Sequence, residues 1–166
     1  MALVGENNTY FMKTLKTSIV NLDLSKQAPC SPRVRLDGFA LACRAVDKCR
    51  ASLAGTLGGY HFDCPLDNQL FSFKGITSKQ FSVAVQQAKS YEDIGAWLLV
   101  TGKAKTEKEI EDWSAAQEGG SLMSVPDKQS YFVEDCKRLG LDPTKTTTFD
   151  WLEADDRSSF SPGVMR

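Results

Sequence analysis

The chain has 166 residues, a length that suits one domain with one core. With 42% hydrophobic residues, 25% charged residues and a net charge of −1, it has the composition of an ordinary globular protein and lacks the basic excess of a general nucleic-acid or membrane-surface binder. No stretch is long and apolar enough to span a bilayer, and the N-terminus has no basic segment followed by an apolar run; a cytoplasmic protein is expected, its five cysteines held as free thiols.

Residues 1–28 read as an N-terminal arm, with a weak helix at Thr9 to Ile19 that sets Phe11, Leu15 and Ile19 on one side. Pro29-Cys30-Ser31-Pro32 then forces extended backbone. Leu36 to Leu53 reads as the longest helix, because Leu36, Phe39, Cys43, Val46 and Leu53 recur at helical spacing. Asp37 or a residue just before it offers a cap, and Gly55 a stop. In this register Asp47 and Arg50 sit at the edge of the apolar arc, and Arg44 and Lys48 fall on the opposite, wetter side. An ionisable pair aimed partly at a core has to be paired and hydrogen-bonded, or one member shifts its pKa.

Gly58-Gly59 makes a turn into Tyr60, and Pro65 starts a helix through Leu66, Leu70, Phe71 and Phe73 that Gly75 ends. Thr77 or Ser78 caps the next, with Phe81, Val85 and Ala88 inward. Ser90 caps another that carries Glu92 and Asp93 in its first turn, Ile94, Trp97 and Leu98 inward, and Gly102 at its end. Thr106 to Glu109 is a capping box before Ile110 and Trp113. Pro126 or Asp127 opens a helix with Tyr131, Phe132, Cys136 and Leu139 as its buried set, stopped at Gly140. Phe149, Trp151 and Leu152 anchor a final short helix or turn; Lys145 to Phe149 is the one stretch with any strand character. The expectation is a single compact all-α domain of five to six helices over residues 29–160, with a tail at 161–166.

Charge is uneven along the chain. Arg33, Arg35, Arg44, Lys48 and Arg50 cluster near Asp37 and Asp47, whereas Asp150, Glu153, Asp155 and Asp156 near the end face only Arg157. Such regions either attract each other in the fold, the favoured reading, or build a pocket in which guanidinium forks grip a carboxylate or phosphate.

The densest chemistry lies in Tyr60-His61-Phe62-Asp63-Cys64-Pro65-Leu66-Asp67, which holds the only histidine of the chain. An imidazole, with an ordinary pKa of about 6.5, donates and accepts protons near neutrality. Tyr60 or Asp67 could orient His61 or share its proton; the structural alternative is an imidazole that satisfies a loop backbone beside Pro65. Cys64 could act as a nucleophile beside His61 or the following helix start, although free cysteine is commonly buried and inert. Asp47 is the second candidate base, with the neighbouring Arg50 favouring a structural ion pair instead. Arg33, Arg35, Arg44 or Arg50 would hold a substrate anion. The three tryptophans read as core rather than as a stacking platform.

One histidine and scattered cysteines make no zinc set, and no nucleotide-binding glycine pattern or redox cysteine pair is present, so no metal and no cofactor is expected. Two functions remain. One is a small cofactor-independent enzyme of the isomerase, lyase, cyclase or hydrolase type that applies acid–base chemistry to an anionic or oxygen-rich small molecule. The other is a non-catalytic module that binds a ligand or a protein. A small-molecule ligand is the expected partner, neither nucleic acid nor membrane is, and a homodimer through an exposed apolar face is an arrangement the sequence allows.

Several motifs in one order carry a resemblance. Ser31-Pro32-Arg33-Val34-Arg35-Leu36-Asp37-Gly38, Arg44-Ala45-Val46-Asp47-Lys48-Cys49-Arg50-Ala51 and the Gly58 to Asp67 segment, with Trp97, Trp113 and the closing Trp151, Asp155-Asp156 and Ser159-Phe160, resemble the domain of unknown function 5069 family over roughly Leu22 to Phe160. The resemblance implies a small, mainly helical protein and implies no activity. The chain departs from the pattern at Cys30, where a basic residue is expected, at Ala42-Cys43 in place of Leu-Pro, and at Ser161 in place of glycine.

Overall fold

The structure is a computed structural model that describes residues 22–161. The helix expected at Thr9 to Ile19 lies outside these residues. The described residues form α1 (Ala42–Ala54), α2 (Pro65–Lys74), α3 (Ser78–Gln87), α4 (Tyr91–Val100), α5 (Glu107–Gly119), a 3-10 turn (Leu122–Ser124), α6 (Pro126–Leu139) and α7 (Thr148–Phe160). No strand occurs among them; the only bridge joins Leu36 to Phe39. The count is seven rather than five to six because the closing segment is a full helix of 13 residues, not a short turn. Thr147 caps it by accepting the Asp150 N–H, and this capping box replaces the strand character read at Lys145 to Phe149.

Helix boundaries elsewhere follow local chemistry. Thr77, Ser90 and Thr106 accept the N–H three residues ahead at 3.1, 3.2 and 3.2 Å, and the third residue answers with its side chain in each case. Gly55, Gly75 and Gly140 close α1, α2 and α6 in left-handed backbone.

The start of α1 departs from the sequence reading. Asp37 and Gly38 have φ of 45° and 88°, and Leu36 and Phe39 exchange both backbone bonds at 3.2 and 2.9 Å. An Asp-Gly pair favours such a tight reversal. Ser114 of α5 fastens it, accepting the Ala40 N–H and donating to the Gly38 carbonyl. Leu36 and Phe39 therefore reach the core from a turn, at a spacing that imitates a helix.

α1 is the buried axis of the fold, against which α2, α3 and α4 pack. Nine of its 13 residues are buried, so it has no broad wet side. Arg44 and Lys48, assigned to that side by periodicity, are 3% and 4% exposed, whereas Leu53 is 51% exposed. The physical reason lies in Ala42, Cys43, Ala45, Cys49 and Ala51, whose small side chains let neighbours approach from several directions. The main core joins Phe39, Val46, Leu70, Phe71, Phe81, Ile94 and Leu98, with the Phe71 and Phe81 rings 5.1 Å apart. A second cluster, Ala40, Leu41 and Phe149 with Leu66 and Leu152, seats α7.

The described part of the expected arm is packed. Leu24 is 1% exposed, its N–H bonds the Thr56 carbonyl at 2.9 Å, and its own carbonyl would lie 2.7 Å from a Cβ on Gly58, which has φ of 58°. Gly58→Ala is expected to cost about 1–3 kcal/mol in urea unfolding, whereas Gly59→Ala, with open space around it, stays within about 0.5 kcal/mol.

Candidate functional site

A half-open cavity of about 890 Å³ lies between the α1 face that carries Arg44 and Lys48, the Gly58–Cys64 loop, the start of α2, and helices α6 and α7. Four elements bring their side chains there for local reasons. Arg44 and Lys48 are four apart on a helix and therefore share a face. The glycine turn carries Tyr60 and His61 across the end of α1. Proline at the start of α2 fixes Cys64 as its N-cap. α7 supplies an apolar wall from Trp151, Leu152 and Phe160, with Tyr131 of α6 beside it.

Two buried charge clusters form the floor. In the first, Arg44 Nη1 and Nη2 donate to the two oxygens of Asp156 at 2.7 and 3.1 Å, and Nη1 also donates to the Cys30 carbonyl at 3.2 Å. The Tyr60 hydroxyl donates to Asp156 Oδ1 at 2.7 Å, the guanidinium lies over the Tyr60 ring at 5.5 Å, and that ring stacks on Phe160. Burial, and then the Asp156 carboxylate, push the Tyr60 phenol well up, so at neutral pH Tyr60 is a donor and not a base. In the second cluster, Lys48 Nζ pairs with Asp67 Oδ1 at 2.7 Å and donates to Cys64 Sγ at 3.2 Å, while Asp67 receives the Cys64 N–H. His61 stands exposed among the lining residues.

The donor count leaves capacity for a ligand. Ammonium has three N–H groups and guanidinium five. Lys48 uses two in these contacts and Arg44 three. Each cation on the floor therefore keeps donors beyond its carboxylate partner.

Of the residues nominated by sequence, Arg44, Tyr60, His61 and Cys64 line the cavity, and Asp67 stands behind it on Lys48. The others lie elsewhere. Asp47 accepts the Cys30 N–H at 2.7 Å and the Tyr91 hydroxyl at 2.5 Å, and burial raises its carboxyl above the usual range against the pull of those donors. Asp47 and Arg50 form no ion pair: Arg50 donates to the carbonyls of Val85 and Ala88. Arg33 binds Asp150 and Glu153, and Arg35 binds Glu111 and Glu118. The basic segment and the acidic end thus do attract each other, through Arg33 and Arg44, and Arg33 and Arg35 are not at the cavity. Trp97 packs on the main core and Trp113 stacks on Phe73, while Trp151 faces the cavity and donates its indole N–H to Asp135.

A family model described as a domain of unknown function (DUF5069) matches residues 26–158. The chain belongs to this family. No curated protein matches it. The matched span includes both charge clusters, the Tyr60–Cys64 loop and most of the α7 wall. Lys48, Lys128, Tyr131 and Phe160 were not nominated for the site: Lys48 was counted only in the basic segment, although its spacing of four from Arg44 was a readable signal, and Tyr131, expected in the buried set of its helix, is 58% exposed and lines the cavity. Among the described residues no helix is long and apolar enough to cross a membrane, and no group of three or more His, Cys, Asp or Glu side chains is arranged to hold a metal ion.

The Lys48 and Asp67 side chains are only 4% and 3% exposed, so removing one partner strands a buried charge. Asp67→Asn or Lys48→Met alone is expected to cost about 3–5 kcal/mol in urea unfolding. The double variant Lys48→Met with Asp67→Leu recovers all but about 1 kcal/mol, the share of the lost α2 cap.

Proposed function

We propose that the protein is a small cofactor-independent enzyme of the isomerase, lyase, cyclase or hydrolase type, acting by side-chain acid–base chemistry on an anionic or oxygen-rich molecule seated in the cavity. The observation that carries this reading is the pair Arg44 and Lys48, directed from successive turns of α1 into one recess that His61 borders. Their spare N–H groups hold the acidic or oxygen-rich end of the substrate, and charge-assisted bonds to cations on the buried floor are stronger than neutral ones. Trp151, Leu152 and Phe160 cover its apolar part. His61 gives and takes the proton, and Tyr60 stays protonated and donates a hydrogen bond.

A second reading is a ligand-binding module without chemistry. It is favoured by one observation: His61 is exposed and makes no hydrogen bond or ion pair with a described residue that would orient its ring. A panel of small carboxylates, phosphates and polyols screened by thermal shift, with mass spectrometry of each hit for conversion, separates the two. Salt should weaken the binding of every anionic hit. Conversion by the wild type that falls about 10²–10⁴-fold in His61→Gln, with the ligand-induced shift retained, supports the enzyme reading. Hits that bind and remain intact under all conditions select the binding module, and undiminished conversion in His61→Gln removes His61 from the mechanism.

A further inference from the structure

The charges around the cavity are almost fully matched. Of the four Lys and Arg side chains that line it, Arg44 is held by Asp156, Lys48 by Asp67 and Lys26 by Asp23. Only Lys128, exposed on the first turn of α6, pairs with no carboxylate among the described residues. The one acidic side chain in the lining, Asp155, shares Arg138 with Asp135, so that group keeps a negative charge. The site therefore offers one unpaired cation and, at Asp155, a carboxylate that repels further negative charge brought beside it.

The wall is of another kind. α7 turns Thr148, Leu152, Asp155 and Ser159 to the cavity, each three or four residues after the last, with Trp151 beside Leu152. At 1.5 Å per residue this face is about 16 Å long. Its middle offers no hydrogen bond, because the Trp151 indole N–H is already given to Asp135 at 2.7 Å. The Tyr60 hydroxyl is committed in the same way to Asp156. Leu66, Leu122 and Phe160 extend the apolar lining. A cavity of about 890 Å³ with such a lining takes a molecule much larger than the head group its floor can grip.

We propose that the ligand of this cavity is an amphiphilic monocarboxylate, one carboxylate on an extended apolar body, and not a phosphate or a polyol. The inference rests on the reading of the cavity as the substrate site and names the class of molecule that site takes. The carboxylate accepts from the spare donors of Arg44 and Lys48, and Lys128 supplies the counter-charge that those two cations, already paired, do not. The body lies along α7 and releases water from Trp151, Leu152 and Phe160. A phosphate dianion would find no second unpaired cation and would face Asp155. A polyol would lay its hydroxyls on a wall that cannot bond them and lose their bonds to water.

The test is calorimetric titration of the full-length protein with butanoate, hexanoate, octanoate and decanoate, and with octanamide, octyl phosphate and sorbitol, at about pH 8, where the alkyl phosphate is a dianion. Affinity is expected to rise about two- to fourfold per added methylene, with octanamide and octyl phosphate about tenfold weaker than octanoate and sorbitol without binding. Lys128→Gln should weaken octanoate about two- to fivefold and leave octanamide unchanged. Trp151→Ala should flatten the chain-length series; if that variant does not fold, Tyr131→Ala, at a position 58% exposed on the same cavity, takes its place. Three results overturn the class and leave the cavity as the ligand site, provided the binding responds to these variants: octyl phosphate or sorbitol tighter than octanoate, octanamide equal to octanoate, or affinity independent of chain length. Absence of binding by every probe, or binding that none of the variants alters, overturns the cavity reading as well.

Discussion

The buried guanidinium of Arg44 is tied to both oxygens of Asp156, and this tie joins the elements around the cavity. A charge taken out of water needs a partner of excellent geometry to offset its desolvation. Here the partner comes from α7, 112 residues further along the chain. The same carboxylate takes the Tyr60 hydroxyl, so one pair fixes α7, α1 and the loop before α2 together. It adds a polar tie to the apolar cluster that seats α7. A buried pair of this kind often adds little net stability over well-packed apolar residues, whereas removing one member strands the charge of the other.

α1 distributes chemistry to several sides because it is enclosed. Asp47 turns toward Tyr91 of α4 and the strap at Cys30, and Arg44 and Lys48 toward the cavity. The buried Arg44, Asp47 and Lys48 side chains of α1 each find a partner on a different element. Substitutions at the cavity floor therefore act on folding and on the site together, whereas His61, on the exposed loop, can be changed with little effect on the core. This separation makes the imidazole the cleanest probe of chemistry and the floor cations the cleanest probe of structure.

Much of the fold was legible because helix ends are local events. Thr77 with Gln80, Ser90 with Asp93 and Thr106 with Glu109 announce their caps within four residues, and Gly55, Gly75 and Gly140 supply left-handed stops. The loop from Tyr60 to Asp67 was legible as a place of concentrated side-chain chemistry, and His61 and Cys64 do line the cavity. The site was misread where periodicity stood in for environment. Leu36 and Phe39 extended a helical pattern across a turn, and Arg44 and Lys48 looked wet because no sequence neighbour could show what packs over them. Asp47 and Arg50 looked like a pair by spacing, yet each found a better partner across the core.

The sequence by itself determined an all-α chain, the punctuation of its helices and the segment where reactive side chains gather, since those depend on residues within a few positions of one another. Only the tertiary structure decided that α1 is enclosed, that Arg44 and Lys48 turn inward, and that Asp156 and Asp67 neutralise them. Those outcomes depend on which distant carboxylate reaches a buried cation, and no local pattern encodes that distance.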